Sequence, residues 1–227
     1  MVFLKWKKET RLLPKNLLKN KKRNYCQSRP KIGRDFFSLM NKKFLIAGLG
    51  NIGPEYETTR HNIGFMILDR LAELQSASFE HQRHAFTSTL NLKGRTLHLI
   101  KPTTYMNLSG KAVNYWLSDL KIPLENLLVV VDDIALPFGS LRMRAKGSAA
   151  GHNGLSDIEN ALGSNQYPRL RFGIDNKFYK GKQADYVLSP FSKEEQKNIP
   201  EFIDKAADMI QSFCLSGIQI TMTQFND

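Results

Sequence analysis

The chain has 227 residues, of which 41% are hydrophobic and 24% charged, enough for one well-buried α/β domain and hardly enough for two. Its net charge of +12 suggests a nucleic-acid partner, yet residues 1–40 hold eight Lys and four Arg against Glu9 and Asp35, so they carry +10 and the rest only +2; any such partner must be met by local patches. No apolar run reaches membrane-spanning length, and Cys26 and Cys214 form neither a disulfide framework nor a metal-ligand spacing, a pattern that fits a cytoplasmic protein without a membrane partner.

Residues 1–40 read as a basic leader, with Lys5–Lys8 and Lys19–Arg23 as clusters and no apolar periodicity. Three readings fit it: a disordered RNA-binding arm, an organelle-type targeting segment, or upstream sequence ahead of a true start at Met40. A signal peptide is not expected, because no apolar core follows the charges. Residues 41–227 read as one catalytic domain. Lys43–Leu49 predicts a short apolar strand ending in a glycine turn. His61–Leu74 predicts a helix, with Ile63, Met66, Ile67, Leu71 and Leu74 on one face. Ala85–Leu92 and Arg95–Lys101 predict a hairpin turning at Lys93-Gly94. Ser109–Leu120 predicts a second helix, and Leu127–Val131 a central strand covered on both faces. Leu141–Lys146 alternates apolar and basic residues, as a strand with one wet face does. A helix at Asn153–Leu162, a strand at Arg169–Ile174 and a helix at Lys193–Leu215 follow. The alternation predicts a single-domain α/β fold, an open mixed sheet with helices on both faces.

Gly48-Leu49-Gly50-Asn51-Ile52-Gly53 spells a dinucleotide-binding fingerprint directly after a strand. That motif needs a helix opening on its glycines and an acid at the tip of the next strand. Here Pro54-Glu55-Tyr56 continues a loop, and Asp69 falls within a predicted helix, so a nucleotide cofactor is not expected. Other polar residues cluster at element ends: Asn51, His61-Asn62, Asn107, Asp132-Asp133 and His152-Asn153. Loops at the carboxyl ends of strands form the crevice of an open α/β sheet, so Asn51, Asn107 and Asp132 are expected to converge. The chain has no GxSxG elbow, no reactive-cysteine signature and no HExxH motif. What remains is histidine, aspartate and carboxamides. That set suits direct activation of water by a histidine whose tautomer a carboxylate fixes, with amides donating to an oxyanion. Each residue also has a structural reading: His61, Asn62 or Asn153 as helix caps, Asn51 and Asp132 as turn formers, Asp133 as a solvated acid.

At these residues the chain resembles the bacterial-type peptidyl-tRNA hydrolase family. The resemblance runs from about Lys43 to the C-terminus through five blocks in order: GLGNIGPEYETTRHNIGF, KPTTYMNLSGKAV, VVVDDIALPFG, GSAAGHNGL and RLRFGI. It implies a monomeric esterase, without metal or nucleotide cofactor, that hydrolyses peptidyl-tRNA. It further implies His61 as the base, Asp132 as the carboxylate that holds it, and Asn51 beside the scissile ester. Asn107 and Asn153 would hold the peptide backbone and tRNA end, with Tyr56 and Tyr105 as substrate contacts. Arg142, Arg144 and Arg171 would lie near tRNA phosphates, and the LRMRAK alternation puts Arg142, Arg144 and Lys146 on one strand face. The family commonly has an acid at the position of Ala135 and a glycine at that of Ala150, and a glycine-containing turn where Asp175-Asn176-Lys177 stand. Two other readings compete: a non-catalytic RNA-binding splicing-factor relative on the same fold, and an oxidoreductase resting only on the glycine fingerprint.

Overall fold

The computed structural model describes residues 42–226; the expected basic leader lies outside them. Seven strands form one sheet: β1 (Lys42–Gly48), β2 (Glu80–Gln82), β3 (Ala85–Leu92), β4 (Arg95–Pro102), β5 (Leu127–Asp133), β6 (Leu141–Arg144) and β7 (Arg169–Gly173). The order across the sheet is β2-β3-β4-β1-β5-β7-β6. Strands β4, β1, β5 and β7 are mutually parallel, while β2-β3-β4 and β7-β6 pair antiparallel. The sheet is therefore mixed, as expected, with a parallel centre and antiparallel margins. Among the described residues six α-helices accompany it: α1 (Ile63–Leu74), α2 (Ser109–Leu120), α3 (Asn153–Leu162), α4 (Gln183–Val187), α5 (Lys193–Ser216) and α6 (Ile218–Phe225).

Side chains alternate across each strand, so the central strands supply two cores. Phe44 and Ile46 face a cluster with Ile67, Leu71, Ile203 and Ile210, which places α1 and α5 on one face. Leu45 and Ala47 face Val113, Trp116, Leu155 and Ile158, which places α2 and α3 on the other. The β3-β4 hairpin turns at Lys93 (φ 45°) and Gly94 (φ 79°), the doubly positive φ of a turn whose twist matches the strands.

Several boundaries differ from the periodicity reading. His61 lies not in α1 but in a single 3-10 turn, Arg60–Asn62, that precedes it. Strand β6 ends at Arg144, so Lys146 is not on its face. The short elements β2 and α4 and the terminal α6 were not expected. Helix α6 brings Asn226 to the edge strand β6, where its Oδ1 accepts from the Met143 amide at 2.7 Å and its Nδ2 donates to the Met143 carbonyl at 2.9 Å. Among the described residues no helix is long and apolar enough to cross a membrane.

The start of α1 is pressed against the ends of β1 and β5. A Cβ on Gly64 would lie 2.5 Å from the Leu49 backbone and 2.7 Å from the Val130 carbonyl, and one on Gly48 would lie 2.4 Å from the Gly64 carbonyl. The fingerprint-like Gly48 is thus required by helix-on-strand contact, with backbone where a pyrophosphate would need space. Gly64→Ala is expected to destabilise the domain by about 1–3 kcal/mol through overpacking, read as a lower urea midpoint with unchanged slope.

Candidate active site

The carboxyl end of β5 and the loop after β1 open, with Arg169 and Arg171 of β7, into a cavity of about 770 Å³. Asp132, at the end of the buried strand β5, is 3% exposed. A carboxylate so placed must be paired. Its Oδ1 lies 2.8 Å from His61 Nδ1 and 3.1 Å from His152 Nε2, and the two imidazole rings are 5.1 Å apart. Burial alone would push the Asp132 carboxyl up, but the two histidines outweigh it and hold it well below the usual carboxylate range. Its folded value is depressed, so the pairing stabilises the domain above the ordinary carboxylate range and is lost only as the pH falls through the lowered value.

The hydrogen bonds also fix tautomers. His152 is the N-cap of α3, and its Nδ1 accepts from the Leu155 amide at 3.3 Å. An Nδ1 that accepts carries no proton, so the proton sits on Nε2 and points at Asp132. His61 likewise donates from Nδ1 to the same oxygen, which leaves its Nε2 lone pair for other work. Three ligand atoms of His61, Asp132 and His152 lie within 4.8 Å of one another. A metal ion there would require His152 to move its proton onto Nδ1, against the Leu155 amide. The arrangement therefore fits a general base better than a metal centre.

His61 is held from the opposite side by its neighbour. Arg60 is 7% exposed. Its guanidinium donates to the Ser189 Oγ at 2.7 Å, the Pro190 carbonyl at 2.6 Å and Glu195 at 2.8 Å, and it stacks on the Tyr186 ring at 4.4 Å. Glu195 also completes the capping box of α5 with Ser192. The turn that carries His61 is thereby tied to the segment that walls the cavity with Gln183, Ala184, Val187 and Leu188.

Asn51 is oriented with equal definition. Its backbone N–H donates to Asn62 Oδ1 at 2.8 Å, and its own Oδ1 accepts from the Met106 amide at 2.8 Å. With the oxygen engaged, Nδ2 is the atom left to donate into the cavity. Asn62 is no side-chain cap for α1; it serves this loop instead.

The cavity gathers Asn51, His61, Tyr105, Asn107, Asp132, Asn153, Arg144 and Arg171 among its walls. Asn107 sits in a 3-10 turn before α2, Tyr105 is 57% exposed at the mouth, and Asn153 is the first residue of α3 rather than its cap. Tyr56 and Arg142 do not line it. Tyr56 instead shapes the loop before His61, its carbonyl accepting from Thr59. Arg142 is the cross-strand partner of Arg171. Arg171 forms an ion pair with Asp133, whose Oδ1 also accepts from the Ala135 amide, so Asp133 is not merely solvated. Lys146 lines the cavity from the loop after β6. Arg169, 2% exposed, donates to the Ser148 and Asn165 carbonyls and braces the loop that leads to His152.

Sequence reasoning gave no role to His152 or Arg60. Both stand in blocks it singled out, GHNG and TRHN, but their partners come from distant strands and helices. The departures at Ala150 (φ 50°) and Asp175 (φ 66°) keep the left-handed backbone that glycine favours, so the loop path survives without the glycines.

A family model described as peptidyl-tRNA hydrolase matches residues 45–227. A peptidyl-tRNA hydrolase of Bacteroides fragilis is 58% identical over 184 residues, 81% of this chain and 98% of that protein. One of Cytophaga hutchinsonii shows the same identity over the same shares. The crystal structure of peptidyl-tRNA hydrolase from Acinetobacter baumannii aligns with a TM-score of 0.77 at 32% identity, covering 81% of this chain and 94% of that one.

Two variants separate the two jobs of His152. His152→Ala is expected to lose a helix cap, costing about 1 kcal/mol, and a hydrogen bond to Asp132. His152→Asn restores the cap, so chemical denaturation returns close to wild type while turnover stays reduced.

Proposed function

The chain belongs to the peptidyl-tRNA hydrolase family, and from that premise we propose how the residues of its cavity cleave the ester joining a peptide to tRNA. The observation that carries the proposal is the shared Asp132 oxygen, which leaves His61 Nε2 free to take a proton. His61 removes a proton from water as the water attacks the ester carbonyl. Asp132 stabilises the imidazolium that forms, without itself being protonated. The developing oxyanion accepts a hydrogen bond from Asn51 Nδ2, whose orientation the Met106 amide already sets. His61 then returns the proton to the departing ribose oxygen, releasing a free peptide carboxylate and an intact tRNA hydroxyl.

Around this centre, Asn107 and Asn153 hold the peptide backbone and the tRNA end, and Tyr105 borders the entrance. Tyr56 acts through the loop it shapes. Arg144 and Lys146 meet tRNA phosphates, and Arg171 joins them by exchanging Asp133 for a phosphate. Such contacts give affinity without base readout, which suits an enzyme acting on many tRNAs. Arg142, the cross-strand neighbour of Arg171, adds positive charge to the same margin of the sheet. In this reading the enzyme works as a monomer, in the cytoplasm where its substrate arises, with the domain of residues 41–227 sufficient for hydrolysis. The non-catalytic RNA-binding reading is not favoured, since nothing in it calls for a histidine held with its lone pair open.

The test is release of N-acylated amino acid from N-acyl-aminoacyl-tRNA without added metal or nucleotide. His61→Ala is expected to lower kcat by about 10²–10⁴-fold while tRNA binding is retained. Asp132→Asn should lower kcat without unfolding the domain; full activity in either variant would overturn the assigned role. For the phosphate track, Arg144→Ala is expected to weaken binding of all tRNAs alike and to reduce the slope of log affinity against log salt by about one.

A further inference from the structure

A second cavity, of about 520 Å³, shares Asn51 with the first and is otherwise built from different residues. Its apolar wall comprises Ile52, Pro54, Phe65, Met66 and Phe86. Ile52 and Phe86 are each 36% exposed and share this lining, so they offer apolar surface to a ligand in a concave site. The charges beside them are largely spoken for. Lys101 pairs with Asp69 at 2.5 Å and lies over the Phe79 ring at 4.3 Å, while the His81 ring packs edge-on to Phe86. Only Glu57 adds a further charge to this lining.

Strand order places this cavity relative to the rest. Phe86 is on β3 and Lys101 on β4; Asn51 follows β1, and Asp132 is the penultimate residue of β5; Arg171 is on β7 and Arg144 on β6. These strands lie in the order β3-β4-β1-β5-β7-β6. Crossing the sheet one therefore meets an apolar pocket, the base with its carboxylate, and then cations. The substrate is linear in the same sense: peptide, ester, tRNA. With the ester at His61 and the phosphates over β7 and β6, the second cavity lies on the side of the ester away from the phosphates, beyond Asn51.

We propose that the second cavity receives the residues of the peptide that precede the esterified one and favours apolar side chains there. This rests on the esterase reading above. The pocket touches side chains that differ from one peptide to the next, so it grades substrates while Asn51, common to both cavities, stays on the backbone.

Three substrates on one tRNA test it: N-acetyl-aminoacyl-tRNA, the same extended by leucine and phenylalanine, and the same extended by aspartate and serine. The wild type is expected to favour the leucine–phenylalanine form over the aspartate–serine form in kcat/KM by roughly 5- to 20-fold. In Phe86→Ser and, separately, Ile52→Ser, that ratio is expected to fall toward one. A wild-type ratio near one, or a ratio unchanged in both variants, overturns the proposal. Should the variants fail to fold, free N-acetyl leucine–phenylalanine peptide must inhibit wild-type turnover more strongly than the aspartate–serine peptide, and equal inhibition overturns it. Inactivity of the wild type toward all three substrates would instead overturn the esterase reading, and this proposal with it.

Discussion

A buried carboxylate with two imidazoles on one oxygen is the constraint around which the domain is arranged. Asp132 cannot remain charged at the end of an apolar strand unless donors reach it, and both donors come from other elements. One arrives on the turn before α1, the other on the cap of α3. Each arrival has a cost in backbone placement. The first needs α1 to touch β1 and β5 backbone to backbone, which Gly48 and Gly64 permit. The second needs the loop between β6 and α3 to follow a left-handed path at Ala150 and Gly151, which Arg169 secures from below. The geometry of the site and the packing of the core are here the same problem.

The frame of the fold was legible because its elements are long and strongly patterned. Helix α2 and helix α3 were read with the bounds they have, and the five longer strands to within a few residues. What was missed is short or set by distant contacts. Strand β2 has three residues and α4 has five, too few to show a period. Helix α6 is separated from α5 only by Gly217, and its register depends on docking against β6. His61 was expected inside a helix because apolar spacing says nothing about the 3-10 turn that precedes the first full one.

The candidate site divides along the same line. Residue types and their places at strand ends suggested that Asn51, Asn107 and Asp132 would meet, and they share a cavity. Composition could not reveal that His152 caps a helix through one nitrogen and serves Asp132 through the other, since both roles need coordinates. Nor could it reveal that Arg171 already has an acidic partner. The LRMRAK alternation looks like an open phosphate track, but across the ladder from its Arg142 the folded chain places Arg171, already paired with Asp133.

The Asn226 amide has a consequence at the far margin of the sheet. Edge strands expose backbone donors and acceptors that template further pairing, and β6 is such an edge. By offering one donor and one acceptor to Met143, a single side chain imitates the next strand and stops there, having no backbone ladder of its own to pass on. At Met143 the ladder is thereby terminated rather than merely ended: a second strand seeking to pair there must first displace the Asn226 amide, and with it the seat of the helix that precedes it.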